Sequence, residues 1–509
     1  MSVARTLSVA LNGLEGAIVE VEADLSEQTP KFVIIGLPDK SLGEAVQRVH
    51  NACVNRGLAL PRRRLTVNLS PASLPKQGSG FDVAIAVAAL ATEREMDAAG
   101  VASTVHLGEL GLDGRLRPVP GVLPAVAAAA RAGIRRAVVP RANLAEAELV
   151  DGIEVCGASC LAEVVRWHGL DVDIPPVEPV VLAREEVSTD EVPELADVIG
   201  QREAIDALLV AAAGGHHLLM SGPPGAGKTM LAQRLPGILP PLDESAALAV
   251  GSVRSLSGEP VTRLSKVPPF EAPHHSASIA ALVGGGSRIV RPGAIARASE
   301  GVLFLDEAGE FASSALDALR QPLESGSIVI HRSGITAAYP ARFQLVVATN
   351  PCPCGNFAVP GAECVCPPHA IRRYFSRLSG PLLDRIDIEL SMRRVAVARN
   401  DPSLGGSMTT SAAREKVGEA RARAALRLRD TPWRRNAEVP GSWLRQGPLA
   451  PAPVVRRPID AALHRGMLTL RGYDRVLRVA WSLADLAGRG AIDVGDVGRA
   501  LYLKKGVPA

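Results

Sequence analysis

A glycine-rich loop at residues 222–229 places the strongest constraint on the fold of this 509-residue chain. The loop follows a short apolar run, 217–221, and opens a helical stretch that starts at Met230. Strand, loop and helix in this order are the setting in which a GxxxxGK[ST] motif binds phosphate, because inward-turned backbone N–H groups and a helix N-terminus attract an anion. The sequence therefore predicts a nucleotide site formed by Gly222, Pro223, Pro224, Gly225, Ala226, Gly227, Lys228 and Thr229.

Two side chains of this loop and two acids predict hydrolysis chemistry. Lys228 places a positive charge on the β- and γ-phosphates, and the Thr229 hydroxyl is a Mg²⁺ ligand. A second apolar run, 301–305, ends in Asp306 and Glu307. Because strand ends of a parallel sheet face the ligand, we expect Asp306 to hold Mg²⁺ through water and Glu307 to orient and deprotonate the attacking water. ATP and Mg²⁺ are the predicted cofactors.

The remaining pattern divides the chain into an α/β array with flanking regions. Residues 1–170 alternate short β-rich runs with Ala-rich helical stretches, which is typical of an α/β or α+β domain. Residues 171–190 contain three prolines and several acids and indicate a linker. Strand–helix units follow over 191–395, as in a parallel sheet, and 396–509 is mainly of helical period. A third apolar strand in the array ends at Asn350, whose amide can position water or simply form a turn.

Hydropathy and charge limit the class of protein. No apolar run approaches 18 residues, and the N-terminus lacks a sustained apolar stretch. We therefore expect no transmembrane helix, no signal peptide and a cytoplasmic location. The net charge is +3, from 56 basic and 53 acidic residues. This balance does not indicate a globally basic nucleic-acid binder, although a local basic surface remains compatible with it.

Several motifs resemble the AAA+ ATPases and, more narrowly, the magnesium-chelatase-like group called YifB or ComM. The resemblance covers essentially the whole chain. It implies an AAA+ P-loop ATPase core at 191–395 and a C-terminal helical lid at 396–509. The segments that carry it are DVIGQR at 197–202, APHHSAS at 272–278, LDE at 305–307, NPCPCG at 350–355 and SGPLLDRID at 379–387.

The resemblance also implies a ring with shared sites. Asn350 corresponds to sensor 1, and Arg385 to the arginine finger that reaches the γ-phosphate of a neighbouring subunit, with Arg377 as a second candidate. A cation there stabilises charge on the transferring phosphoryl group. A finger that acts on a neighbour implies a homo-oligomeric ring, commonly a hexamer.

Sensor 2, on the lid, corresponds to Arg475 or alternatively to Arg478. The family usually continues with Ala-Arg-Thr, whereas this chain has Ala-Trp-Ser at 480–482. The change removes one cation from the lid and weakens either assignment.

Within the first 170 residues, GELGLDGRLRPVPG at 108–121 and RAGIRRAVVP at 131–140 resemble segments of the Lon protease domain, an α+β fold of the ribosomal protein S5 domain 2 type. Lon hydrolyses peptides with a Ser–Lys dyad in which the lysine activates the serine. Ser79 lies near the position of the nucleophile, but the matching lysine position falls near Leu123, and no lysine occurs between Lys76 and Lys228. We therefore expect this domain to shape the ring or to bind a partner or DNA, and not to cleave peptides.

Three segments are candidates for contact with DNA. Residues 326–343 predict a hairpin that turns at Ser333-Gly334 with His331 and Arg332 near its tip; it either projects into the pore or lies on the surface. Residues 266–298, with paired histidines, suggest a pore loop or subunit packing more than a metal site. Residues 412–435 are locally basic and form either a phosphate contact or a solvated helix face.

Four of the seven cysteines crowd into fifteen residues. Four thiolates suit a tetrahedral Zn²⁺ or an iron–sulfur cluster, and the alternative is a set of reduced thiols in a packed loop. His369 lies close enough in sequence to replace one of them. The candidate zinc ligands are Cys352, Cys354, Cys364 and Cys366.

The predictions converge on an ATP-hydrolysing ring motor that acts on single-stranded or branched DNA. By resemblance it is a ComM-type branch-migration helicase in recombination and natural transformation. The first alternative is a magnesium-chelatase-type remodeller of a protein partner, which needs a partner subunit with an integrin-type domain that this chain lacks. An ATP-dependent protease is opposed by the missing lysine, and a nucleotide-gated scaffold by the complete set of hydrolytic residues.

Overall fold

The computed structural model describes residues 3–36, 40–76, 78–174, 176–178, 180, 192–286, 290–332, 335–359, 361–394 and 408–505. The first region, residues 4–167, contains both strands and helices. Its strands are β1 (Ala4–Asn12), β2 (Glu15–Ser26), β3 (Lys31–Ile35), β4 (Arg64–Ser70), β5 (Thr104–His106), β6 (Glu109–Leu110), β7 (Leu116–Arg117), β8 (Arg136–Pro140) and β9 (Glu154–Ala158). Its helices are α1 (Lys40–Gly43), α2 (Ala45–Asn55), α3 (Asp82–Ala91), α4 (Ala98–Ala102), α5 (Val122–Arg131), α6 (Leu144–Ala147) and α7 (Leu161–Trp167).

Seven of these strands form one mixed sheet in the order β3-β4-β2-β1-β5-β8-β9. The pairs β1–β2 and β2–β4 are antiparallel, whereas β3–β4, β1–β5, β5–β8 and β8–β9 are parallel. Helix α3 is rich in alanine and valine and is buried over almost its whole length, since small side chains let a helix pack closely on a sheet. The region is thus a mixed-sheet fold with its core between sheet and helices.

The middle region carries the second sheet. Its strands are β10 (Leu218–Ser221), β11 (Phe270–Glu271), β12 (Gly284–Gly285), β13 (Arg291–Pro292), β14 (Val302–Leu305), β15 (Ser327–Arg332), β16 (Ile335–Pro340), β17 (Gln344–Thr349) and β18 (Ile388–Ser391). Its helices are α8 (Arg202–Gly214), α9 (Lys228–Ile238), α10 (Glu244–Ser257), α11 (Ile279–Val283), α12 (Ala294–Arg297), α13 (Ser313–Asp317), α14 (Arg320–Ser325), α15 (Pro368–Ser376) and α16 (Gly380–Leu383).

Five strands of this region pair in parallel in the order β11-β14-β17-β10-β18. Every residue of β14 and β17 is buried, as expected of apolar strands covered on both faces. The loops after β10, β14 and β17 therefore leave the same edge of the sheet. This edge is where the predicted nucleotide residues come together.

The last region is helical, with α17 (Thr410–Arg427), α18 (Gly441–Gln446), α19 (Pro453–His464), α20 (Leu470–Leu486) and α21 (Val494–Lys505). Helices α17 and α20 pack on α8 and α9, and one apolar core joins them to β10 and β18. Helix α18 lies in the proline-containing segment 430–455. None of the helices in the described part of the chain combines the length and apolarity that a bilayer crossing needs.

The predicted hairpin is confirmed by β15 and β16, which pair from Ser327↔Pro340 to Arg332↔Ile335. Its predicted turn at Ser333-Gly334 lies outside the described residues, as does most of the predicted linker. The backbone of Gly13, in the first region, approaches the hairpin so closely that a Cβ atom there would come within 2.0 Å of a carbonyl oxygen in β16. The first region and the hairpin are therefore in direct contact.

Candidate ATP site

The glycine-rich loop leaves β10 at Ser221 and enters α9 at Lys228. Gly225 and Gly227 have φ angles of +79° and +87°, a backbone region that glycine adopts without steric cost. The first N–H groups of α9 have no partner within the helix, so they are available to an anion. The backbone thus has the shape of a phosphate cradle.

Lys228 is the buried cation of this cradle. Its side chain is only 8% exposed. Its Nζ donates hydrogen bonds to the carbonyl oxygens of Gly222 (2.5 Å) and Pro223 (3.0 Å) and to Oδ1 of Asn350 (3.0 Å). Burial lowers the pKa of Lys228, while nearby acidic side chains oppose that shift. A partly desolvated ammonium group interacts more strongly with phosphate than one in bulk water does.

The two predicted Mg²⁺ ligands are in contact. The Thr229 hydroxyl donates to Oδ2 of Asp306 at 2.6 Å, which joins the start of α9 to the end of β14. A hydroxyl and a carboxylate beside a phosphate cradle match the oxygen ligands that Mg²⁺ prefers. The pair fits Mg²⁺, which supplies neutralisation of phosphate charge when it is bound.

Glu307, the candidate base, has a histidine partner that the sequence did not indicate. Nδ1 of His275 lies 3.4 Å from Oε2 of Glu307, and the backbone of Glu307 has φ = +51°, which is uncommon for a residue with a side chain. His275 stacks against His274 with ring centroids 4.0 Å apart. The paired histidines had suggested a pore loop or subunit packing, and the structure places one of them beside the candidate base instead.

Asn350 joins the loop to a neighbouring helix. Besides the bond from Lys228, its backbone N–H donates to Oη of Tyr374 on α15 at 3.4 Å. The ring of Tyr374 in turn packs on Gly309, where a Cβ atom would lie 2.2 Å from it. The amide is thus fixed between the cradle and the segment that follows Glu307.

Two further side chains contact the cradle from outside the predicted set. Nε2 of Gln201 donates to the carbonyl oxygens of Ala226 (3.1 Å) and Arg393 (2.7 Å). Nε of Arg394 donates to the carbonyl oxygen of Pro224 at 3.0 Å. The DVIGQR motif contains Gln201 and could have indicated its contact with the cradle. No motif in the sequence around Arg394 indicated that the arginine contacts the cradle.

Most of the chain matches known protein families. Residues 194–400 match the family described as magnesium chelatase, subunit ChlI, and 407–504 match its C-terminal family; residues 21–143 match subunit ChlI of Mg-chelatase. Competence protein ComM of Haemophilus influenzae is 39% identical over 97% of this chain and 95% of its own length. The chain belongs to the YifB/ComM family of magnesium-chelatase-like AAA+ proteins.

Two other relatives extend the match across the family. The YifB protein of Escherichia coli is 36% identical over 100% of this chain and 97% of its own length. An uncharacterised protein of Mycobacterium tuberculosis is 49% identical over 99% of both chains. Membership makes this chain an ATPase of the YifB/ComM family, for which ATP and Mg²⁺ are the implied cofactors.

Both finger candidates of this YifB/ComM chain pair with acids outside the glycine-rich loop. Arg385 forms an ion pair with Glu324 and donates to the carbonyl oxygen of Pro381 at 2.6 Å. Arg377 forms an ion pair with Glu310 at 3.1 Å. None of the described hydrogen bonds or ion pairs of either arginine reaches the glycine-rich loop.

The sensor 2 candidates are held by the chain's own groups. Arg475 forms a 2.5 Å ion pair with Asp387, which is 2% exposed. Burial acts to raise the pKa of Asp387, but Arg475 and two neighbouring histidines outweigh it and hold that pKa far below its usual range. Nε of Arg478 donates to the carbonyl oxygen of Val439 at 2.8 Å. Both arginines therefore brace the lid.

Several cations of the basic segment 412–435 bond to the lid or to the helices of the middle region. Arg421 donates twice to the carbonyl oxygen of Ala212, and Arg427 forms an ion pair with Asp485 and lies 4.2 Å from the centre of the Trp481 ring. Arg414, Arg423 and Arg435 also bond within the chain. These five arginines thus bond to the chain itself, whereas Lys416, Arg429 and Arg434 are exposed, so the phosphate contact stays a prediction.

The serine of the first region has no lysine partner among its described contacts. Its hydroxyl, that of Ser79, donates to Glu109, and Leu123 at the expected lysine position is fully buried. Lys76, the nearest lysine in sequence, directs its Nζ to the carbonyl oxygens of Gly36 and Pro71. Among the described residues, no lysine is placed to act as the base of a Ser–Lys dyad.

Four sulfur atoms converge directly after Asn350. The Sγ atoms of Cys352, Cys354, Cys364 and Cys366 all lie within 4.8 Å of one another. His369, at the start of α15, is exposed and is not part of this group.

Proposed function

We propose that this protein is an ATP-hydrolysing ring motor that acts on DNA, of the ComM branch-migration type. The proposal rests on the assembled nucleotide site. Lys228 donates to Asn350, and Thr229 donates to Asp306. Glu307 and Asn350 follow the ends of the neighbouring strands β14 and β17. This arrangement suits phosphoryl transfer to water with Glu307 as the base.

The location of Arg385 supports a ring. AAA+ family members commonly assemble into rings. Arg385 is anchored by Glu324 and has no described bond to the chain's own cradle, so its guanidinium is free to serve a neighbouring subunit only if Glu324 releases it. A cation supplied by the neighbour would stabilise charge on the transferred phosphoryl group and link hydrolysis between subunits. Six subunits are the number that the resemblance implies.

The hairpin β15–β16 supports the choice of DNA. One face is packed, with Ile328, Ile330 and Tyr339 at most 8% exposed, and the Tyr339 hydroxyl donates to the carbonyl oxygen of Val290. His331, next to the turn, is exposed. A fixed base with a polar tip is suited to touch phosphates in a pore. A relative named as a competence protein fits this assignment.

A magnesium-chelatase-type remodeller of a protein partner is the alternative. The matched families carry the chelatase name, and the chelatase role would need an integrin-type domain in a second subunit. The first region, which we propose to be Lon-like, would then shape the ring or bind a partner, because Ser79 pairs with a carboxylate instead of a lysine.

ATP hydrolysis measured with and without single-stranded and four-way-junction DNA tests the proposal. We expect DNA to raise kcat in the wild type and the Glu307→Gln variant to be inactive with or without it. His331→Ala and Arg332→Ala should reduce stimulation by DNA while basal hydrolysis persists. His464→Ala, an exposed histidine on the lid, is the matched control and should behave as the wild type. Hydrolysis that no DNA stimulates would overturn the assignment to DNA and leave the ATPase intact.

A further inference from the structure

We propose that Cys352, Cys354, Cys364 and Cys366 bind one structural Zn²⁺, which fixes the loop between β17 and α15 against the nucleotide-binding loop. All seven cysteines of the chain are free thiols, and these four form the cluster of metal-ligating side chains found among the described residues. The proposal concerns a site outside the ATP site and does not depend on the assignment to DNA.

The sulfur separations match one tetrahedral ion. Zn–S bonds of about 2.3 Å at tetrahedral angles place ligand sulfurs about 3.8 Å apart. The Sγ of Cys364 lies 3.8 Å from that of Cys352 and 3.7 Å from that of Cys354, and the Cys352–Cys354 separation is 3.3 Å. A disulfide would need about 2.05 Å. An iron–sulfur cluster distributes its four thiolates over two or four irons, whereas here all four sulfurs lie within 4.8 Å of one another.

The surroundings of Cys352 suit a metal-bound thiolate. Cys352 is fully buried, and the backbone N–H of Phe357 donates to its Sγ at 3.3 Å. Such hydrogen bonds to a ligand sulfur orient it and stabilise its charge. Among the described residues between Thr349 and α15 there is no helix or strand, so few of the described backbone bonds hold this segment in place. A bound metal would supply the missing cross-links.

The cysteine loop lies directly on the ATP site. Gly355, with φ = +79°, approaches the glycine-rich loop so closely that a Cβ atom would lie 2.4 Å from Cδ of Pro224. The loop begins at Asn350, which accepts from Lys228, and ends at α15, whose Tyr374 contacts Asn350. A loop closed by zinc would therefore hold Asn350 and the cradle at fixed distance, and a small displacement of such groups lowers rates by up to about 100-fold.

Metal analysis of the purified full-length chain tests the site. We expect one zinc per chain in the wild type and in Cys156→Ser, a matched control on β9, and much less than one in Cys364→Ser/Cys366→Ser. If that double variant does not fold, the wild type provides a second route: a mercurial titration should release one zinc for four thiols modified. Any of three results would overturn the proposal. The wild type could hold no zinc after incubation with ZnCl₂ and dialysis, it could hold iron instead of zinc, or the double variant could hold one zinc per chain.

A second measurement tests the bracing of the ATP site. Zinc-depleted wild type should show kcat for ATP hydrolysis about tenfold or more below the zinc-loaded protein, with recovery on adding one equivalent of ZnCl₂. Lys228→Ala should lose hydrolysis but keep its zinc, which separates failure of the ATP site from failure of the metal site. Full activity in the depleted protein would overturn the bracing role.

Discussion

His275 Nδ1 and Glu307 Oε2 lie 3.4 Å apart at the end of the ATPase sheet. Glu307 is half-exposed, so without a partner its carboxylate would sample several rotamers. His275→Ala should therefore lower kcat for ATP hydrolysis by about tenfold, with little change in KM. This loss is a part of the rate enhancement of about 10²–10⁴ that a positioned general base contributes. Steady-state kinetics of the purified variant provide the measurement.

A neighbouring histidine supplies the control for this prediction. His274 bonds to Ser276 at 2.7 Å and has no described contact with Glu307, so His274→Ala should retain most of its activity. His275→Gln, which can still donate to the carboxylate, should recover part of the loss. Equal rates in His275→Ala and the wild type would exclude a positioning role.

Subunit mixing tests whether Arg385 acts on a neighbouring site. Arg385→Ala and Glu307→Gln should each be inactive as pure proteins. In mixed rings, an Arg385→Ala subunit has an intact base and receives the arginine of a Glu307→Gln neighbour, so part of the ATPase activity should return. The measurement is hydrolysis against the mixing ratio; a mixture that stays inactive at all ratios, while both variants assemble, would contradict action in trans. Arg377→Ala mixed in the same way tests the second candidate.

The ion pair between Arg475 and Asp387 predicts a loss of stability. Arg475→Ala would leave a buried carboxylate without its cation, which costs about 3–5 kcal/mol of unfolding free energy. Thermal unfolding should show a lowered midpoint. Arg471→Ala, whose side chain is 73% exposed, is the control and should unfold like the wild type. An Arg475→Ala protein with unchanged stability but reduced kcat would instead support the sensor 2 role.

A buried histidine pair predicts sensitivity to acid. Nε2 of His106 and Nε2 of His168 lie 2.8 Å apart, and burial lowers the pKa of His168 to about 4. Because this folded-state pKa lies below the ordinary 6.5, the stability contributed by neutral His168 is complete above pH 6.5 and is lost as the pH falls towards 4. The midpoint temperature of unfolding of the wild type should therefore decrease as the pH is lowered from 7 to 5.

The variant His168→Gln isolates that contribution. Glutamine can hydrogen-bond to His106 but does not titrate, so its unfolding midpoint should fall less than that of the wild type over the same pH range. Calorimetry of both proteins at pH 7, 6 and 5 gives the comparison. If the midpoint temperatures of the two proteins decrease equally with pH, His168 is not the source of the acid sensitivity.

The convergence of the candidate ATP-site residues was predictable because the motifs that contain them are local in sequence. The glycine-rich loop and the acids after β14 are recognised from neighbours in sequence, and parallel strands bring their ends to one edge. The contact of His275 with Glu307 joins separate loops, so no spacing rule indicated it. Composition likewise does not distinguish Arg421 of the basic segment, which bonds to the carbonyl oxygen of Ala212, from a solvated arginine. The convergence of four cysteines, by contrast, followed from their spacing.

Branch migration tests the central claim most directly. Wild-type protein, ATP and Mg²⁺ are incubated with a labelled four-way junction that has homologous arms, and the products are separated on a gel. We predict conversion of the junction to duplex products by the wild type and none by Glu307→Gln, which should still bind the junction. If the wild type hydrolyses ATP but leaves the junction intact, this result would contradict the proposed DNA motor.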